Sequence, residues 1–194
     1  MSRSHSRKKN KHEEASDRCL LTRDAGKKRM TTTSPELRTP SDLDTDATAR
    51  LADRLNATLA DSFALYLKTK NFHWHVSGPY FRDYHLLFDE QASQILLSTD
   101  AIAERVRKIG HTTVRSISDI AQQQTLSDNN ADFVAARDML AELRADNLHL
   151  VESLRAAKSA ADSAGDNGTS GLIDAWTDGA EQRAWFVFET GRSE

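Results

Sequence analysis

From Thr45 onward, Ala47, Leu51, Leu55, Leu59, Phe63, Tyr66 and Leu67 recur at steps of three and four residues, and no other feature constrains the fold of the chain more. That period sets the apolar side chains along one stripe of an α-helix, and the stripe must be buried against another element. The pattern runs to about Val76 and stops at Ser77-Gly78-Pro79. Glycine leaves the backbone loose there, and proline cannot continue a helix. A second periodic segment covers about 81–109 on Tyr84, Leu87, Phe88, Ile95, Ile102, Val106 and Ile109, with Gly110 as its stop. A third helix is expected over about 132–164, and a fourth after Gly168-Thr169-Ser170, ending near Thr190. Residues 111–130 form a long crossover with one short helix around 116–123, and no stretch reads as a strand. The expectation is an all-α four-helix bundle over 45–190, with a tail at 191–194.

The segment before the bundle is of another kind. Residues 1–44 lack apolar periodicity, are rich in Lys, Arg, Ser and Thr, and contain Pro35 and Pro40, so they read as a flexible arm. Residues 1–29 hold ten Lys/Arg against four Asp/Glu; of the chain's 26 and 29, 16 and 25 therefore remain, and a +6 arm precedes a −9 body. Lys8, Lys9, Lys11, Lys27, Lys28 and Arg29 are the candidate DNA contacts, because each cation set against a phosphate adds salt-sensitive affinity. Met30, followed by a short polar lead, reads equally well as the start of translation, and a product from there would lose the basic cluster. The single cysteine, Cys19, excludes an internal disulfide framework and any CxxC site. No apolar run approaches the roughly 20 residues of a membrane span, and the basic N-terminus lacks a signal peptide's apolar region. A cytoplasmic protein without membrane partners is expected, nucleoid-associated where the arm is present.

The stretch 72-FHWHVSGPYFRDYHLLFDE-90 gathers histidines and acids around the Gly-Pro break. His85 and Asp89 are four residues apart, as are Asp100 and Glu104, so each pair projects from one helical face. Asp89 and Asp100 are 11 residues apart. That is three turns plus about 20°, so both pairs share a face, but about 16 Å of axial rise keeps them from one ion in one chain. Two copies of the helix crossing antiparallel near Gln94 and Ile95 would bring His85 and Asp89 of one subunit beside Asp100 and Glu104 of the other. A two-fold axis then generates two equivalent sites, and His73 could complete each from the His85 side. Imidazoles and carboxylates without thiolate suit iron, and are compatible with manganese or zinc.

The run His73-Trp74-x-Val76-x-Gly78-x-x-Phe81-x-x-x-His85-x-x-x-Asp89, followed by Asp100-x-Ile102-Ala103-Glu104-Arg105, resembles the signature of the Dps family. These are ferritin-like mini-ferritins that protect DNA in starved bacteria, and the similarity extends over roughly 45–190. It implies a ferritin-like four-helix bundle assembled as a hollow homododecamer of two-fold dimers. It also implies an intersubunit ferroxidase centre, with His73, His85 and Asp89 from one subunit and Asp100 and Glu104 from its neighbour. Fe(II) becomes the favoured metal, hydrogen peroxide the preferred oxidant and ferric oxide the stored product. Trp74 matches the family's site-adjacent tryptophan, with plain packing as an equal alternative. Asp166, Asp174 and Asp178 fall where relatives often line an iron-entry pore; an acidic position of some relatives falls on Gly171 here, and solvated helix acids are the competing reading.

Other residues carry no assigned chemistry. His75 is turned about 200° from His73. Trp176, Trp185, Phe186 and Phe188 read as core or interface, and His111 and His149 as hydrogen-bonded side chains. Glu-x-x-His, the intrabundle di-iron motif of larger ferritins, does not occur in the sequence. A mainly DNA-binding stress protein using the arm remains the alternative to the ferroxidase.

Overall fold

The computed structural model describes residues 34–192, whose regular elements are all helical. A 3-10 turn at Pro35–Leu37 is followed by α1 (Thr45–His75), α2 (Phe81–Lys108), the short α3 (Ile117–Gln123), α4 (Ala136–Ser163) and α5 (Asn167–Thr190). No strand occurs among the described residues. The short turns after α1 and α4 make α1 and α2, and α4 and α5, the most extensively packed neighbours; α1 also packs on α4, and the α2–α5 seam is thin. Most of the periodic residues do what their spacing requires, although Phe63 and Tyr66 are only partly buried and Leu67, at the edge of the stripe, is 59% exposed. Leu51, Leu55, Leu59, Phe72, Phe88, Ile95, Ile102, Leu143, Leu154 and Ile173 are buried together in one core.

Local chemistry sets the element ends. Asp44 accepts the Ala47 N–H at 2.8 Å and starts α1. Gly78, at φ +114°, makes the break that follows. Two starts differ from expectation. Instead of 132, α4 begins at Ala136, because the Asn129 side chain accepts the Ala131 N–H and donates to Glu142, holding the preceding backbone in a non-helical turn. Instead of following Gly168-Thr169-Ser170, α5 begins at Asn167 and includes them, because Asp166 accepts the Thr169 N–H and caps the helix ahead of the glycine.

The basic residues Lys8, Lys9, Lys11, Lys27, Lys28 and Arg29, together with Cys19, lie outside the described residues. Of the lead segment that is described, residues 37–39 lie against the end of α2: Thr39 Oγ1 donates to the Arg107 carbonyl at 3.0 Å, and Arg107 Nη2 donates to the Leu37 carbonyl at 2.6 Å. Gly110 permits this approach. It sits at φ +91°, and a Cβ there would come within 3.1 Å of the Thr39 carbonyl oxygen.

The crossover is pinned by a buried carboxylate. Asp61 on α1 accepts from Thr125 N at 2.6 Å, Thr125 Oγ1 at 2.8 Å and Leu126 N at 3.0 Å. His149 Nε2 lies 2.6 Å from the same hydroxyl, and His111 Nε2 lies 3.0 Å from Thr48 Oγ1, so both histidines have the hydrogen-bonded roles expected of them. Burial holds the His111 imidazole below its ordinary pKa.

Candidate metal centre

The last turn of α1 and the first two turns of α2 meet across the Gly78 break, and His73 and His85 stack there with ring centroids 3.7 Å apart. Each ring is locked by the other's backbone. His73 Nδ1 bonds the His85 carbonyl at 2.8 Å, and His85 Nδ1 bonds the His73 carbonyl at 2.8 Å. A carbonyl oxygen only accepts, so both Nδ1 atoms must carry the proton, and in the neutral imidazole both Nε2 lone pairs are left free. A backbone carbonyl holding one ring nitrogen while the other remains open is the arrangement seen in metal-binding histidines. Phe81 packs on the His85 ring at 5.1 Å between centroids and limits its rotation.

Asp89 lies one turn beyond His85 and is half-exposed, with Lys70 Nζ at 2.7 Å from Oδ1. The Lys70 hydrogen bond and charge hold the Asp89 carboxyl below its ordinary range against a small opposing effect of burial. Asp89 is thus poised as an anion. Lys70 was not foreseen as part of the site. Its signal is the Lys70-x-x-His73 spacing, which puts an ammonium one turn before the histidine on the same side of α1. The same Nζ is 5.9 Å from the Trp74 ring centroid. Trp74 itself is 59% exposed, so its indole is not packed inside this subunit. His75 turns aside, its Nδ1 bonding the Asn71 carbonyl at 2.8 Å.

Asp100 and Glu104 lie farther along α2, both exposed, with Glu104 paired to Lys108 at 2.9 Å. The subunit therefore gathers His73, His85 and Asp89 at one end of α2 and leaves Asp100 and Glu104 on the same helix beyond their reach. Among the described residues, no three His, Cys, Asp or Glu side chains converge within the single subunit to hold an ion.

The chain as a whole is similar to known proteins. The family profile described as Ferritin-like domain covers residues 52–190. A DNA protection during starvation protein of Brevibacillus brevis is 32% identical over 133 residues, which is 69% of this chain and 89% of the relative. The chain belongs to the Dps family. Within that family, DpsC from Streptomyces coelicolor superposes with a TM-score of 0.80 at 28% identity, covering 86% of this chain and 95% of that one. A Dps protein from Vibrio cholerae O1, described as a member of a broad superfamily of ferritin-like diiron-carboxylate proteins, superposes at 0.73 and 26% identity over 77% and 94% of the two chains. The ferritin-like bundle and its Dps membership are thereby established.

The three acids of α5 part company. Asp166 turns inward: it is 4% exposed, accepts from Thr169 and forms an ion pair with Arg105 Nη2 at 2.5 Å. Asp174 is exposed and paired with Lys158 at 2.8 Å, and Asp178 is exposed. Trp176 is partly buried against the core, whereas Trp185, Phe186 and Phe188 lie largely on the surface of this subunit.

Proposed function

We propose that this Dps-family chain is a ferroxidase and iron store that oxidises Fe(II), preferably with hydrogen peroxide, and keeps the ferric product inside a hollow dodecamer, thereby protecting DNA. The observation that carries the proposal is the reciprocal locking of His73 and His85, which holds two imidazoles in one orientation with both Nε2 atoms free beside the anionic Asp89. Two nitrogens and a carboxylate are a partial shell for a divalent ion, and iron accepts that donor mix.

The rest of the shell is assigned to Asp100 and Glu104 of a two-fold mate. The exposed face of α2 that carries the ligands also carries Leu86 and Leu96, 49% and 42% exposed, as expected of a surface with an apolar partner. The balance of the reaction is two Fe(II), one hydrogen peroxide and two protons giving two Fe(III) and two waters. Each iron loses one electron, the O–O bond is cleaved with both electrons supplied, and no hydroxyl radical is released. Residues His73, His85 and Asp89 bind and orient the iron, and the carboxylates offset the charge that grows as it is oxidised.

DNA contact through Lys8, Lys9, Lys11, Lys27, Lys28 and Arg29 is the second reading, favoured by the +6 charge of residues 1–29 and compatible with the first. Repetition of a weakly binding arm on one particle would strengthen it by avidity. We infer a location in the bacterial cytoplasm, from the similarity to the DNA protection during starvation protein of Brevibacillus brevis.

Subunit mixing tests the shared site. Particles co-assembled from His73→Ala/His85→Ala and Asp100→Ala/Glu104→Ala subunits should regain part of the ferroxidase activity that each parent lacks, because some interfaces combine two intact halves. No recovery in mixed particles, with both parents assembling normally, would remove the shared site.

A further inference from the structure

The thin α2–α5 seam leaves a crevice of about 370 Å³, bordered by Ser98 and Ile102 of α2, Leu150 and Leu154 of α4, and Trp176 and Arg183 of α5. Among the described residues, Arg183 is the only charged one that lines it, in a body whose net charge is −9. The arginine is 6% exposed. Its Nε donates to Asn147 Oδ1 at 2.9 Å, which fixes the side chain from α4, and its main-chain carbonyl accepts from Gln91 Nε2 at 3.1 Å, which fixes the backbone from α2. The Nη1 and Nη2 groups have no acceptor among the described residues, and no carboxylate reaches ion-pairing distance. Burial pushes the guanidinium pKa down to about 10, which still leaves it charged at neutral pH. A guanidinium on a residue this buried is poorly solvated even though its Nη atoms keep some contact with solvent, and an anion in the crevice would offset part of that cost.

The wall chemistry selects among anions. Ser62 and Ser98 spend their hydroxyl protons on the Thr58 and Ile95 carbonyls. Toward the crevice they present lone pairs, which repel a multiply charged oxyanion. One guanidinium fork suits the two oxygens of a single carboxylate. The apolar lining residues Ile102, Leu150, Leu154 and Trp176 suit an apolar body, and the volume falls in the range of small-molecule sites. Ser98 is nine residues from Asp89 on α2. At about 100° per residue it faces the opposite side of the helix from the metal ligands.

We propose that the α2–α5 crevice binds a small monocarboxylate with an apolar body, its carboxylate held by the fork of Arg183. The assembled full-length protein should be titrated calorimetrically with hexanoate, 1-hexanol and inorganic phosphate. Hexanoate should bind at millimolar concentration or below, roughly tenfold tighter than either control. Arg183→Met should weaken hexanoate roughly tenfold. Gly179→Leu should do the same while retaining Arg183, because a Cβ at that position already meets Nη1 at 3.5 Å and the larger side chain crowds the fork. Circular dichroism and particle size identify the variants that fold. Hexanoate binding no tighter than hexanol, phosphate matching hexanoate, unchanged affinity in a folded variant, or no binding heat at all would each overturn the proposal, the last pointing to a water-filled crevice.

Discussion

Replacing Asp166 tests the seam between α2 and α5. Its carboxylate caps α5 through the Thr169 N–H at 2.9 Å, accepts from the Thr169 hydroxyl and pairs with Arg105 Nη2 at 2.5 Å. Loss of an Asp cap costs about 1 kcal/mol. Loss of a charge-assisted hydrogen bond in a part-buried setting adds about 1.5 to 3 kcal/mol, because Arg105, whose side chain is only 20% exposed, is left without its partner. Asp166→Ala should therefore lower stability by about 3 kcal/mol. Asp166→Asn keeps a capping oxygen, loses the charge and should cost about half of that. Burial pushes the Asp166 carboxyl up, but the hydrogen bonds from Arg105 and Thr169 and the Arg105 charge outweigh it, and the net shift is downward. A depressed folded-state value means the stabilisation is complete above the ordinary carboxylate range and is lost as pH falls through the folded value. The wild-type advantage over Asp166→Asn should thus be constant near neutrality and shrink below about pH 4. Guanidinium unfolding at fixed protein concentration, repeated across pH, measures both quantities. An Asp166→Ala cost within about 1 kcal/mol of zero, or a gap that acid leaves untouched, would refute the reasoning.

Three further outcomes are expected. Peroxide should be consumed at about one per two Fe(II) in stopped-flow titrations and should outperform dioxygen, whereas a ratio near one with spin-trapped hydroxyl radical counts against protection. Lys68, 6% exposed and paired with Glu142 at 2.8 Å and Asp146 at 2.7 Å, should cost about 3 to 5 kcal/mol when changed to Ala, because two part-buried carboxylates lose their cation; denaturant midpoints read this. A protein beginning at Met30 should oxidise iron normally but bind DNA weakly, while the full chain shows strongly salt-dependent gel shifts; equal affinity for both forms would dismiss the arm.

The helices were legible in the sequence because the signal for them is local. Leu51, Leu55 and Leu59, or Ile95, Ile102 and Val106, fall on one stripe through the 3.6-residue period alone, and a stripe of that length has to be covered. Starts were less legible where a side chain competes for the backbone, as Asn129 does before α4, or where a cap precedes a glycine, as Asp166 does before α5. The candidate ligands were legible for the same local reason: His85, Asp89, Asp100 and Glu104 share one helix, and His73 sits one short turn upstream.

What the sequence determined by itself was therefore the number and order of helices, the shared face of the α2 ligands and the separation that forbids one subunit from joining them. Tertiary structure alone decided who touches whom across elements: the exchange of Nδ1 bonds between His73 and His85, the Lys70–Asp89 pair, the inward turn of Asp166 onto Arg105, and the unpaired fork of Arg183 in its crevice. The physical reason is range. Helix period acts between neighbours along the chain, whereas the partner of a charge or an imidazole depends on where another helix, up to 92 residues away for Gln91 and Arg183, comes to rest.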